Sequence, residues 1–253
     1  MLRYARIMAI VLTTLIIVTS ATATTFTVSS GMSIQKTIDN AEPGDIIQVL
    51  PGEYSESLVI KTPNLTIIGM EFEGAHALLN GFNKAFVQQL ENPITIEADN
   101  ITVEGFHIRA YEGVGLVMKG RSGITLKNID IAMKSSDAIR FEDSNNLLIQ
   151  GCVVRSAGNI GISLRRCQGV VVSRCESYNN ALGVEIVDGI KISLDALSVH
   201  NNAMGILLVS TNGEEGYAEH VTITSSRILD SGSYQGENKI AGSPLFLEGV
   251  GLR

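Results

Sequence analysis

Apolar and polar residues alternate along this chain in short segments, and the segments recur at a nearly constant interval. One motif, a turn-forming residue followed by three mostly aliphatic positions, begins at Asn100, Gly123, Asn146 and Gly169, whose position numbers differ by 23 each time. A second motif places a small residue before an aliphatic one with nearly the same spacing, as in Gly115-Leu116, Ala138-Ile139, Gly161-Ile162, Gly183-Val184 and Gly205-Ile206. A fixed period in this range is typical of a solenoid, in which each repeat buries its apolar face by stacking on its neighbours.

Each repeat contains three alternating segments, for example residues 138–142, 147–149 and 152–154. Because strand side chains alternate between two faces, one apolar set is expected to point to a common interior: Ile139, Phe141, Ile162, Leu164, Val184, Ile186, Ile206 and Leu208. The residues between them are expected to point outward, namely Arg140, Glu142, Ser163, Arg165 and Glu185. Three strands and three turns per coil predict a triangular parallel β-helix whose coils stack about 4.8 Å apart.

Asparagine pairs mark one of the recurring turns. Residues 178–183 and 200–205 match each other one repeat apart and contain Asn179-Asn180 and Asn201-Asn202. Asparagine accepts a left-handed backbone and bonds to nearby backbone groups. We therefore assign these residues to turn structure, with their side chains stacked along the solenoid axis.

The segment before the first coil predicts a cap. Residues 25–28 are typical of a strand, and Ser33 is a suitable N-cap for a short amphipathic helix with Ile34 and Ile38 on its apolar face. The run from Ser33-Ile34-Gln35 through Pro43-Gly44-Asp45 and Pro51-Gly52-Glu53-Tyr54 to Leu65–Gly69 resembles the N-terminal cap of right-handed parallel β-helix proteins in the pectin lyase-like superfamily. The later coils resemble the parallel β-helix repeats of that superfamily.

This resemblance implies an all-β fold, a right-handed single-stranded parallel β-helix of about 22–23 residues and three strands per coil, with a short N-terminal capping helix. It also implies, by analogy of fold alone, work on acidic polysaccharides by lyases, hydrolases, esterases or epimerases.

The N-terminus is predicted to be a secretory signal peptide, residues 1–23. Arg3 and Arg6 precede an apolar run over residues 7–18, and Ala21-Thr22-Ala23 forms a cleavage signal. A membrane anchor is the less favoured interpretation, because the run falls short of the roughly 20 residues that span a bilayer. We expect a domain over residues 24–253, with the cap and first coil in residues 24–60, no membrane span after cleavage, and a periplasmic or secreted location. Residues 231–253 are expected to be irregular, and a partner or a missing segment would cover the last coil.

Charge and cysteine content narrow the function further. The 253 residues carry a net charge of −7 with no basic run, which argues against a nucleic-acid partner. The spacing of the three cysteines does not match that of zinc ligands. No cofactor is expected, although the sequence is compatible with bound Ca²⁺. Cys152 and Cys175 occupy equivalent places in consecutive repeats, and two small side chains stacked in the interior are favoured over a disulfide.

Catalytic candidates are weak and lie on one predicted outward face: Asp137, Arg140, Glu142, Arg165 and Glu185. Carboxylates could hold Ca²⁺ against an acidic substrate while an arginine acts as the base, as in a pectate-lyase-like mechanism. The polygalacturonase-type Asn-Thr-Asp motif is matched only at Asp137. Glu142 and Arg165 are equivalent positions of consecutive repeats, so a cross-strand ion pair is the simpler explanation. His76, His107 and His220 have no Ser, Cys or Asp partner that we place at a repeat-equivalent position.

Two stretches interrupt the period, residues 70–93, predicted to be a loop, and residues 210–219. The sequence observations are compatible with two functions. The favoured one is an exported carbohydrate- or surface-binding or scaffold module without an evident catalytic set. The alternative is a polysaccharide-active enzyme (lyase, hydrolase or epimerase class) with its site on the Arg140–Glu185 face beside the 70–93 stretch, because loops on rigid scaffolds carry binding residues.

Overall fold

The computed structural model describes residues 22–83, 88–209, 211, 219–229 and 245–247, which form a parallel β-solenoid of about eight turns. Three sheets run along its axis, and each coil contributes one strand to each sheet. The predicted three-strand coil is confirmed. The predicted signal peptide, except for its last two residues, and most of the 210–219 stretch lie outside the described residues.

Sheet A contains β1 (Thr25–Val28), β2 (Ile46–Val49), β5 (Thr66–Gly69), β11 (Thr102–Glu104), β14 (Ser122–Lys127), β17 (Asn145–Gln150), β20 (Gln168–Ser173), β23 (Ile190–Asp195) and β26 (Glu219–Thr224). Sheet B contains β3 (Gly52–Tyr54), β7 (Ala75–Asn80), β12 (Phe106–Arg109), β15 (Asp130–Ala132), β18 (Val153–Arg155), β21 (Glu176–Tyr178), β24 (Ser198–His200) and β27 (Arg227–Leu229). Sheet C contains β4 (Leu58–Ile60), β10 (Ile94–Ile96), β13 (Leu116–Lys119), β16 (Ile139–Glu142), β19 (Ile160–Arg165), β22 (Leu182–Val187), β25 (Met204–Val209) and β28 (Leu245–Leu247).

Strand register follows the sequence period and builds the core. In sheet C, Ile139 pairs with Ile162, Ile162 with Val184, and Val184 with Ile206, and all four side chains are fully buried. The assignment of inward and outward positions is confirmed for these apolar residues, since equivalent residues of successive coils form continuous apolar stacks. The core is therefore a column that runs the length of the solenoid.

The first recurring motif is explained by its backbone. Asn100, Gly123, Asn146 and Gly169 all have positive φ, between 54° and 73°. This left-handed conformation turns the chain into each strand of sheet A, and asparagine and glycine adopt it at low cost.

Asparagine side chains also connect successive coils at the turn between sheets B and C. The amide oxygen of Asn202 accepts from the backbone N–H of Asn180 at 2.9 Å, and that of Asn180 accepts from Ala157 N–H at 2.9 Å. Asn179 and Asn201, the neighbouring residues, have φ of 56° and 53°. The structural assignment of these residues is confirmed.

The small residues of the second motif are explained by close packing at the same turn. A Cβ atom on Gly183 would lie 2.6 Å from the Gly205 carbonyl oxygen and 2.9 Å from the Asn202 amide nitrogen. A side chain at this place would force adjacent coils apart, which explains the recurring glycines of the motif but not Ala138.

Helix α1 (Ile34–Asp39) covers the first coil. The Ser33 hydroxyl accepts from Lys36 N–H at 3.1 Å, as expected for an N-cap, and Ile34 and Ile38 are buried. Glu56 reinforces the cap by accepting from the backbone N–H groups of Ile34 and Gln35.

Two expectations about irregular segments need correction. Residues 70–93 are not one loop, because β7 continues sheet B between β3 and β12. The extra residues form two hairpins, in which β6 (Glu71–Phe72) pairs with β7, and β8 (Phe82–Asn83) pairs with β9 (Gln88–Gln89). In the region expected to be irregular, β28 pairs antiparallel with β25.

Candidate functional site

Asp137, the first candidate from the sequence, is not on an outward face. Its carboxylate is buried in the turn between β15 and β16, where it accepts from Arg140 Nε at 2.7 Å. It also accepts from Asn159 Nδ2 at 2.8 Å and from the backbone N–H of Ile160 at 3.1 Å. The expectation was wrong because the turn directs this carboxylate toward unpaired donors of the next coil. Asp137 therefore links two coils.

Glu185 and Arg165 pair with each other on sheet C. Arg165 Nη2 lies 2.8 Å from Glu185 Oε2, and the Ser163 hydroxyl donates to the same oxygen at 2.8 Å. Glu142 and Arg165 are register partners, but the ion pair predicted between them does not form. The more deeply buried Glu185 takes the guanidinium, because a charge interacts more strongly where water is excluded.

Glu142 is partnered by the other cations nearby. It lies 3.6 Å from Lys119 Nζ and 4.0 Å from Arg166 Nη2. Each candidate carboxylate of sheet C therefore already has a cationic partner of its own. Within the residues that the structure describes, no three His, Cys, Asp or Glu side chains converge as metal ligands. The sequence candidates thus form ion pairs, Asp137 with Arg140 within one coil, and Glu142 and Glu185 with cations of adjacent coils.

A different polar cluster lies on sheet B and is centred on Asp130. Arg109 Nη2 donates to Asp130 Oδ2 at 2.7 Å, and Arg155 reaches both carboxylate oxygens at 3.2 Å. His107 Nδ1 lies 3.9 Å from Asp130 Oδ2. His107 was predicted to have no Ser, Cys or Asp partner at a repeat-equivalent position, and this prediction was wrong: His107 and Asp130 are one repeat apart and pair directly in the sheet. That offset was the sequence signal that could have revealed the cluster.

The two arginines set the protonation of this cluster. Partial burial would raise the pKa of Asp130, but hydrogen bonds from Arg155 and Arg109 outweigh it and lower that pKa. The pKa of Arg155 is raised by the same hydrogen bond. Burial, and next the charge of neighbouring His76, lower the pKa of His107, although Asp130 opposes this. Asp130 is thus ionised and the His107 imidazole neutral near pH 7.

Flat side chains continue the cluster along the sheet. The His76 and His107 rings stack with centroids 3.9 Å apart, and the Tyr178 and His200 rings stack at 5.1 Å. His200 Nε2 also lies 2.9 Å from a carboxylate oxygen of Glu176. Arg155, Tyr178 and His200 occupy the same register position on successive coils. We call the set His76, His107, Arg109, Asp130, Arg155, Tyr178 and His200 the sheet B face.

The two hairpins flank the start and the end of strand β7, which carries His76. Phe72, in the first hairpin, is 68% exposed, and Phe82, in the second, is 37% exposed. A cleft of about 300 Å³ opens at the first hairpin and is lined in part by Glu71, His76, Glu104, His107 and Asn128. Each of the hairpins beside β7 therefore carries an exposed phenylalanine.

Comparison with known proteins identifies the family of this scaffold. Residues 83–228 match the model described as "Right handed beta helix region", and the chain belongs to this family. Its fold is that of the pectin lyase-like superfamily, as its cap and coils predicted. No curated protein matches the sequence.

Solved structures with the same fold include several polysaccharide-active enzymes. A pectate lyase superposes with a TM-score of 0.55 at 12% identity, over 83% of this chain and 64% of the lyase. An alginate lyase from Paenibacillus sp. superposes with a TM-score of 0.52 at 12% identity, over 85% of this chain and 96% of the lyase. The catalytic domain of a GH87 α-1,3-glucanase superposes with a TM-score of 0.52 at 11% identity, over 87% of this chain and 49% of the glucanase chain. This chain thus spans just under two thirds of the pectate lyase, and at these identities the likeness concerns the fold.

The described part of the chain holds no helix long and apolar enough to cross a membrane. Its sheet B face presents guanidinium groups and the edges of rings that stack on one another along the sheet.

Proposed function

We propose that the protein is an exported carbohydrate-binding module that holds an extended glycan along the sheet B face. The observation that carries this proposal is the register of Arg155, Tyr178 and His200, which recur at one position on three successive coils. Coils stack about 4.8 Å apart, so a polymer lying along the axis meets a new planar side chain at each step. Guanidinium groups bind hydroxyls and carboxylates, and the Tyr178 hydroxyl and the His200 imidazole nitrogens are further hydrogen-bonding groups.

Binding without turnover is favoured by the state of the acidic groups. A general acid must carry a proton at the working pH, and the low pKa that Arg155 and Arg109 impose on Asp130 keeps it ionised. The carboxylates of Asp137 and Glu185 are buried in contacts with neighbouring coils, so a substrate would have to displace those contacts. The fold shared with the pectate and alginate lyases supports a glycan as the ligand class.

The first experiment measures affinity for polygalacturonate, alginate and a neutral glucan by titration calorimetry. Tyr178→Ala and Arg155→Ala should each weaken binding by roughly tenfold, the effect of losing about 1.4 kcal/mol of contact energy. Lys127→Ala is the matched control for charge, because Lys127 lies on sheet A and should leave the affinity unchanged. Circular dichroism confirms that each variant is folded.

The second experiment tests turnover on the same polymers, with and without Ca²⁺, by following unsaturated and reducing ends. No new ends are expected. New ends that disappear in Arg165→Ala would instead place an enzyme on sheet C and contradict the binding module. Failure of all three polymers to bind would leave the scaffold role alone and overturn the glycan proposal.

A further inference from the structure

Cys152 and Cys175 form a thiol pair inside the solenoid. They occupy equivalent positions on adjacent coils, immediately before β18 and β21, and the residues that follow them, Val153 and Glu176, pair directly in sheet B. The backbone N–H of Cys152 donates to Cys175 Sγ at 3.4 Å, and the Cys175 thiol donates to the carbonyl oxygen of Ser173 at 3.3 Å. Both side chains are buried and reduced. The interior stacking predicted for them is confirmed.

We propose that Cys152 and Cys175 are a site of oxidative cross-linking, at which a disulfide joins two adjacent coils. Neighbouring strands lie about 4.7–4.9 Å apart, which falls within the range of about 4.4–6.8 Å between the Cα atoms of natural disulfides. Neither cysteine lies within a strand, so the turn can adjust to the torsion of the bond. An exported chain would meet the oxidising conditions in which such bonds form.

Cys167 serves as an internal comparison. It is buried at the corner before sheet A, where its thiol donates to the carbonyl oxygens of Phe141 and Arg165. Its repeat neighbour in the preceding coil is Ser144, so no second sulfur stands beside it. Burial raises the pKa of Cys167 to about 11, which disfavours the reactive thiolate.

The chemistry requires a disulfide-containing oxidant, such as oxidised glutathione or a thiol–disulfide oxidoreductase. Cys175 Sγ accepts the hydrogen bond of the Cys152 backbone N–H, which favours its thiolate, so Cys175 is the first nucleophile. Its thiolate attacks the oxidant, a mixed disulfide forms, and one thiolate leaves. Cys152 then loses its proton and attacks Cys175 Sγ, and the second thiolate leaves. The two cysteines lose two protons and two electrons, and the oxidant is reduced to two thiols.

Because both sulfurs are buried, the oxidant has access while the coils are still closing or when they open locally. Once formed, the bond would close a loop of one coil. It would fix β18 and β21 together, the strands that carry Arg155 and Tyr178. The cross-link would therefore stabilise the scaffold directly beneath the sheet B face.

The test refolds the full chain in a glutathione redox buffer, alkylates the remaining thiols under denaturing conditions, and maps the peptides by mass spectrometry. We expect a single alkylated thiol, Cys167, and a peptide pair linked through Cys152 and Cys175. We also expect a melting temperature higher by roughly 5–10 °C than that of the dithiothreitol-treated chain. Cys167→Ser should retain the bond and the temperature difference.

Cys152→Ser should lose both the bond and the temperature difference while remaining folded, since serine replaces a side chain of similar size. Three alkylated thiols after oxidative refolding, or a bond that involves Cys167, would overturn the proposal. The same assay on native protein warmed to just below its melting temperature repeats the test without refolding. Glycan affinity is not measured in this assay, so its outcome is independent of the proposed function.

Discussion

Arg155 holds both carboxylate oxygens of Asp130 from the next coil, at 3.2 Å each, while Arg109 binds the same carboxylate from the preceding coil. One acidic side chain thus positions two guanidinium groups on a sheet whose neighbouring positions hold flat rings. The side chains remain partly exposed, with 23–29% of their surface accessible. Two guanidinium groups thus share a single carboxylate at this point of the sheet B face.

Asp130→Asn should lower the free energy of unfolding by about 1 kcal/mol at pH 7, because the carboxylate contributes through a partly exposed network. The folded-state pKa of Asp130 is lowered, so this contribution is complete above the unfolded pKa of about 4 and is lost as pH falls through the folded pKa. Urea unfolding at a series of pH values measures it. Asp143→Asn is the control, since Asp143 makes a more exposed pair with Arg166 in the turns between sheets C and A. Equal effects of the two substitutions would contradict a special role for the Asp130 network.

The pKa of His107 should lie below that of an unperturbed histidine, about 6.5, in a nuclear magnetic resonance titration. Because the folded state favours the neutral imidazole, its contribution to stability is complete above about pH 6.5 and is lost as pH falls through the folded pKa. His107→Gln should remove that part of the pH dependence. A pKa at or above the reference value would show that the stacked His76 ring and burial do not control this group.

Ile162→Asp should unfold the central coils, with a loss of more than about 4 kcal/mol, because it places a carboxylate without a partner in the apolar column. Val171→Asp is the matched control: Val171 is an aliphatic strand residue too, but it points outward from sheet A and is 41% exposed. Thermal unfolding followed by circular dichroism distinguishes the two. A folded Ile162→Asp protein would mean that the inward and outward assignment is wrong.

Asn202→Ala should destabilise the protein by about 2 kcal/mol, since the Asn180 N–H and the Ser177 carbonyl would lose their partners in a buried turn. Asn201→Gly, at the preceding position, should be nearly neutral because glycine accepts the φ of 53° found there. Chemical denaturation of both variants makes the comparison. A larger loss at residue 201 than at residue 202 would refute the hydrogen bonds of the Asn202 side chain as the source of stability.

The repeat in the sequence was sufficient to predict the coil, its three strands and its interior. Each of these properties depends on local periodicity, and the same pattern is present in every repeat. The alternation of Ile162, Ser163 and Leu164, for instance, predicts which side chains belong to the apolar column. The left-handed turns at Asn100 and Asn146 follow from residue type in the same way.

The contacts of the polar residues could not be predicted in this way. The sequence aligns Glu142 with Arg165, yet side-chain length and burial direct Arg165 to Glu185 instead. The same alignment places His107 beside Asp130, but Arg155 reaches that carboxylate from a different register position.

By itself, then, the sequence determined the scaffold of this protein. Because its period is constant, each repeat adopts the same backbone conformation and adds its apolar residues to one buried column. Only the tertiary structure decided which charges pair, that the 70–93 stretch forms two hairpins around a sheet strand, and that Asp130 gathers the arginines of sheet B. Long polar side chains span several register positions, and the choice among their partners depends on distances and burial that arise only when the coils are stacked.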